Sequence, residues 1–136
     1  MPATLEDLKS PFRLPCGSVL PNRLGKAAMT EGLSREGNPN VEHERLYGAW
    51  SRCGAGMLLT GNVQIDRRHL ERPGNVVLDR EPDAQQRAAI ARWAGIAKEG
   101  GAKLFMQISH AGRQTPALVN PRPFAPSAVP LAIPGR

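Results

Sequence analysis

Apolar residues in this chain fall into short runs separated by amphipathic stretches, and the alternation repeats. The first run, Leu24 to Thr30, carries Leu24, Ala27, Ala28 and Met29; it follows a Pro21-Asn22 turn signal and precedes a loop with Gly32, Gly37, Asn38 and Pro39. Asn40 then stands as the N-cap of a helix predicted from about Val41 to Cys53, stopped by Gly54. Leu46, Ala49, Trp50 and Cys53 follow the i, i+3, i+4, i+7 spacing of an apolar stripe.

The second run is Met57-Leu58-Leu59-Thr60, of the kind buried on both faces of a parallel sheet, and it breaks at Gly61-Asn62. An irregular arm with Arg67, Arg68, His69, Arg72, Pro73 and Gly74 follows. Asp83 is the next N-cap, with Gln86 three residues later completing a capping box. The predicted helix runs to about Glu99 with Ile90, Trp93, Ala94 and Ala97 on its stripe, and Gly100-Gly101 ends it. The third strand is Lys103 to Ser109.

Strand, helix, strand, helix, strand is the order of the α/β class, with parallel pairing and right-handed crossovers. Ligands in that class sit at the C-terminal ends of the strands. Thr30, Asn62 and the cluster Gln107, Ser109, His110, Arg113 and Gln114 all fall there, so three strand ends converge on one face. The bland alternative for Gln107 and His110 is the satisfaction of nearby backbone groups.

Length changes this picture, because 136 residues is well short of the ~250 of an eight-fold βα barrel. Residues 115–136 hold six prolines and no convincing strand or helix. The expectation is a single incomplete domain over residues 1–136, with a Pro-rich loop over 115–136.

Composition narrows the function less. Eighteen Lys plus Arg against twelve Asp plus Glu gives +6, a balance compatible with polyanion binding. The basic residues are scattered, however, and 4% aromatics provide no interleaved stacking surface. Nucleic acid is therefore not expected as a partner. Cys16 and Cys53 lack metal-ligand spacing and read as reduced thiols, Cys53 on the core stripe. His43, His69 and His110 are too dispersed in sequence to indicate a metal site. The N-terminus has neither a signal peptide nor a membrane-spanning run, so a cytoplasmic protein without a membrane partner is expected.

Four blocks together resemble a known family. Pro11-Phe12-Arg13-Leu14 and Leu20-Pro21-Asn22-Arg23-Leu24, leading into Ala27-Ala28-Met29-Thr30, resemble the opening of the Old Yellow Enzyme group of FMN-dependent NADH:flavin oxidoreductases. Gly54-Ala55-Gly56-Met57-Leu58-Leu59-Thr60-Gly61 resembles its second strand, Gln107-Ile108-Ser109-His110-Ala111-Gly112-Arg113 its third, and Phe124-Ala125-Pro126-Ser127 the loop after it. The resemblance implies the N-terminal portion of a (β/α)8 TIM barrel, about three βα units after a short hairpin formed by about Phe12 to Leu20.

It also implies non-covalent FMN, with NADH or NADPH as reductant and an activated alkene, an enone or enoyl thioester, as small-molecule substrate. Ala28 and Met29 would line the flavin through their backbone. Thr30 would be the flavin-tuning residue, its hydroxyl at the flavin carbonyl beside the redox-active nitrogen, where a hydrogen bond stabilises charge on the reduced ring and raises the reduction potential; Asn62 would approach the ring, and Gln107 would present its amide to the pyrimidine edge. His110 and Arg113 would brace the strand-end loop. No residue of this chain is implied as a proton donor: Tyr47 lies in the first helix, and the family's substrate-orienting His pair and catalytic tyrosine lie on later strands. Two departures leave substrate preference open, since many relatives carry Pro at the position of Ala28 and bulkier residues at Glu31-Gly32. A competing expectation is a truncated non-catalytic fragment or a split-barrel half without independent activity, with the remainder of the barrel or a homo-oligomer as partner; a basic polyanion-binding module ranks below both.

Overall fold

The computed structural model describes residues 4–129, so the part of the Pro-rich loop over 130–136 lies outside the described residues. A short helix, α1 (Leu5–Lys9), opens on a Thr4 capping box with Asp7. Strands β1 (Phe12–Arg13) and β2 (Val19–Leu20) then pair antiparallel, Phe12 opposite Leu20, as the hairpin expected there.

The body is a parallel sheet centred on β4 (Met57–Gln64). Strand β3 (Gly25–Lys26) pairs with its first two residues and β5 (Val76–Val77) with its last two, while β6 (Lys103–Ser109) runs along its whole length. Helices α2 (Val41–Ser51) and α3 (Ala84–Ala97) form the crossovers and pack against each other.

Asn40 caps α2 through a 2.9 Å bond from the Glu42 amide, and Asp83 caps α3 through a 2.8 Å bond from the Gln86 amide. The Gln86 side chain does not return to the cap as expected; its amide donates to the Val77 carbonyl at 3.0 Å and ties the helix to β5. The stripe expected on α2 is also rotated. Ala49 and Cys53 are exposed, and His43, Tyr47, Gly48 and Ser51 are buried in their place. The physical reason is that the rings of His43 and Tyr47 bury edge-on against Trp93 of α3, at centroid distances of 5.3 and 5.1 Å. Such pairs contribute about 0.5–1.5 kcal/mol beyond area burial. On α3 the buried residues are Ala89, Trp93 and Ala97, and the last two join Tyr47, Leu58, Val63, Val76 and Ala102 in the core cluster.

Strand β4 also differs from expectation. It does not end at Gly61 but continues to Gln64, because Thr60-Gly61 form an irregularity between Leu59 and Asn62 at which the register with β6 shifts. Thr60 repairs the ladder there, its buried hydroxyl accepting the Gln107 amide N–H at 2.9 Å. Bulges of this kind re-aim side chains near sites. The first strand is shorter than expected, two residues instead of the run to Thr30, so residues 27–30 leave the sheet.

Candidate functional site

Residues 29–31 cross β4 at Gly61. A Cβ on residue 61 would stand 2.5 Å from the Met29 carbonyl oxygen and 2.8 Å from the Thr30 Cα, closer than real Cβ contacts come. Glycine is therefore what lets the Met29–Glu31 segment lie on the strand. Glu31 locks it there: its carboxylate accepts from the Gly61 N–H at 3.0 Å and from the Tyr47 hydroxyl in a short bond. Burial, then the bond to Glu31, holds the Tyr47 phenol above its ordinary pKa. Lys26 stands nearby, its Nζ donating to the Leu59 carbonyl at 2.7 Å and lying 4.1 Å above the Trp50 ring; burial lowers its pKa, and the Glu31 charge opposes that lowering.

This lock brings together the three strand-end positions singled out in the sequence. The Thr30 hydroxyl donates to Glu71 Oε2 at 2.5 Å, and Asn62 Nδ2 donates to the same oxygen at 2.7 Å. Asn62 Oδ1 in turn accepts from Gln107 Nε2 at 2.5 Å, Asn62 and Gln107 being register partners across β4 and β6. Thr30, Glu71, Asn62 and Gln107 thus form one continuous polar row over three segments. Ala28 is half-buried and Met29 about half exposed beside it.

Glu71 was not found by sequence reasoning. It belongs to the irregular arm between β4 and β5, which carries neither period nor motif; only its position after a strand end pointed there. The arm is firmly seated: Asn75 accepts from the Arg72 amide and donates to the Asn62 carbonyl, and the Gly74 carbonyl accepts from the Ser34 amide at 2.9 Å.

His110 and Arg113 stand apart from that row. Although spacing gave no reason to join them, Asp66, His69 and His110 gather within 4.8 Å of one another, His69 stacked between His110 and Phe124 at 4.8 and 4.7 Å. The buried His69 ring is fully engaged: Nδ1 meets Asp66 at 3.0 Å and Nε2 accepts the Phe124 amide N–H at 3.0 Å. A metal on Nδ1 would need the proton moved to Nε2, facing another donor. His110 Nδ1 accepts from the Gly112 amide at 3.0 Å. Arg68 holds the Asp66 carboxyl well below the usual carboxylate range. Through His69 the cluster fastens the Phe124 loop to the arm, and His110 stacks on the other side of that ring; Arg113 is exposed on the short Gly112–Gln114 turn.

No helix among the described residues is long and apolar enough to cross a membrane.

Both cysteines are exposed, which corrects the core placement expected for Cys53.

No family model matches the chain. It is 41% identical over 108 residues to the NADH-dependent flavin oxidoreductase iliE of Hypocrea jecorina (strain QM6a), a match covering 78% of this chain and 27% of that protein. The chain thus spans about a quarter of that relative's length. Among solved structures it superposes on morphinone reductase with a TM-score of 0.76 at 25% identity, over 90% of this chain and 32% of that one. An old yellow enzyme homologue from Zymomonas mobilis gives 0.75 at 26%, over 90% and 34%. With the parallel βα units, the hairpin before them and these matches in agreement, the chain belongs to the Old Yellow Enzyme family of NADH:flavin oxidoreductases and forms an N-terminal portion of its TIM barrel.

Proposed function

We propose that the polar row at the strand ends is the FMN-facing wall of an oxidoreductase that takes hydride from NADH or NADPH and delivers it to an activated alkene, an enone or enoyl thioester. The observation that carries this reading is the hydrogen-bonded convergence of Thr30, Asn62 and Gln107 from three segments onto one face.

The donor set fits a flavin. The pyrimidine edge of an isoalloxazine offers an imide N–H flanked by carbonyl oxygens, so its partner must accept one hydrogen bond and donate another. Gln107 gives one amide N–H to Asn62; its other N–H and its Oε1 have no protein partner among the described residues. That pair is one donor and one acceptor on a single rigid group. Ala28 and Met29 supply backbone and apolar surface, and Asn62 orients the Gln107 amide. When bound, the flavin supplies the hydride chemistry; the chain's residues bind and orient it. The names of the curated and structural relatives support a flavin and a nicotinamide reductant. The test is reduction of the purified full-length protein by NADH and by NADPH, with reoxidation by cyclohexenone. Bleaching of a bound-flavin spectrum, reversed by the enone, is expected; a protein that stays colourless after incubation with FMN contradicts the reading.

A second reading is favoured by one observation, the exposure of Phe105, Met106 and Ile108 along β6. In that reading this sheet works only when further strands complete it, and the 136 residues alone are not catalytic.

A further inference from the structure

Resting on the flavin-wall reading above, we propose that Glu31 is a positioning residue for flavin binding: by reaching the Gly61 N–H and the Tyr47 hydroxyl, its carboxylate holds the segment of Ala28, Met29 and Thr30 in place for the ring. The need for such a group follows from the backbone. Residues 27–30 have left the sheet, and among the described residues the main chain of Met29, Thr30 and Glu31 makes no backbone–backbone hydrogen bond. Side chains hold the segment instead, Thr30 on Glu71 and Glu31 on β4 and α2.

The Glu31 attachment is built on the bulge in β4. An extra residue in one strand of a pair is left out of the ladder, and a buried N–H in that position needs another partner. Gly61 is buried at the irregularity between Leu59 and Asn62, and its N–H goes to Glu31 Oε1. The Tyr47 hydroxyl of α2 donates to the same oxygen, so the carboxylate is fixed from strand and helix together. Beside Gly61 in the bulge, Thr60 takes the Gln107 amide N–H on its hydroxyl. One irregularity thus fixes both the Thr30 segment and the strand that carries Gln107.

Reach, not charge, is what this arrangement requires of residue 31. Both donors meet one oxygen, so a glutamine of the same length keeps both bonds through its carbonyl oxygen. An aspartate keeps the charge but is one methylene shorter, and it meets both donors only if the segment moves. Loss of a preset geometry then appears as weaker binding, because the ligand must order the segment itself.

The experiment titrates the flavin-free full-length protein with FMN, following quenching of flavin fluorescence, in wild type, Glu31→Gln, Glu31→Asp and Glu31→Ala. Circular dichroism at the same temperature gives the folded fraction, so the Kd and the number of sites per folded molecule are read separately. A purely structural role would lower the folded fraction and leave the Kd unchanged. The Kd of Glu31→Gln is expected within about threefold of wild type, and those of Glu31→Asp and Glu31→Ala about tenfold weaker or more. Wild-type affinity in Glu31→Asp and Glu31→Ala overturns the proposal. So does a Glu31→Gln as weak as Glu31→Ala, because both bonds survive in the glutamine form. Should Glu31→Ala fail to fold, Glu31→Gln against Glu31→Asp decides by the same criterion. Absence of FMN binding by wild type overturns the flavin-wall reading and this proposal with it, whereas equal Kd values in all four forms overturn the Glu31 assignment alone.

Discussion

At the scale of single residues, the site depends on a few groups for which no substitute has the same shape. Gly61 is one, because the Met29 carbonyl and the Thr30 backbone occupy the space a side chain would take. Gly61→Ala is expected to destabilise the fold by about 1–3 kcal/mol, the usual cost of overpacking, and to displace Thr30 from Asn62. Urea unfolding followed by circular dichroism measures the first effect. Tyr47 is another. It is the only tyrosine in the chain, fully buried, and its hydroxyl donates to Glu31. Its raised folded-state pKa means that its contribution is fully present below the unfolded phenol value of about 10 and is lost as pH rises above it. Wild type should therefore lose stability relative to Tyr47→Phe above about pH 10. The difference between the two is the measurement, because the half-buried Lys26 titrates nearby with the opposite sign. Parallel curves for the two proteins would contradict the Tyr47–Glu31 assignment. Legibility differed sharply within this cluster. Thr30, Asn62 and Gln107 stand out in the sequence as polar residues that follow or interrupt apolar runs, although Thr30 lies beyond β3 and Asn62 and Gln107 lie within β4 and β6. Glu31 and Glu71 act through partners 16 and 41 residues away, and no local pattern encodes such contacts.

At the scale of elements, the local signals were clear where backbone chemistry sets them. Asn40 and Asp83 cap the two helices because their side-chain oxygens meet unpaired amides, and the bounds of β6 match the predicted strand residue for residue. The stripe of α2 was misread because His and Tyr count as polar in a periodicity argument, whereas here their rings face Trp93 and their polar atoms turn to Asn40 and Glu31. The break at Gly61-Asn62 was misread for a related reason: a glycine in an apolar run signals either an end or a bulge, and only the neighbouring strand distinguishes them. Trp93 joins both helices to the core, so Trp93→Ala is expected to cost about 3–5 kcal/mol, read as a shift in the urea midpoint at unchanged slope. A loss under 1 kcal/mol would mean that α2 and α3 do not pack as described.

For the whole molecule, β4 is the one strand with partners on both sides, and the strands flanking it each pair with β4 alone among the described strands. Strand β6 hydrogen-bonds to β4 alone among the described strands, and it exposes Phe105, Met106 and Ile108, the last at 68%. An unpaired edge with apolar side chains templates association. The 136-residue polypeptide expressed alone is therefore expected to sediment as dimers or larger species at micromolar concentration, and Ile108→Lys is expected to shift it toward monomer. The central claim, that Thr30, Asn62 and Gln107 form a flavin wall, is tested most directly by titrating the flavin-free full-length protein with FMN and following quenching of flavin fluorescence, in wild type and in Gln107→Ala. The account predicts saturable binding by wild type and a Kd about tenfold weaker or more for Gln107→Ala, corresponding to the loss of roughly 1.4 kcal/mol of hydrogen bonding. Equal FMN affinity for the two proteins, or no binding by wild type, would contradict it.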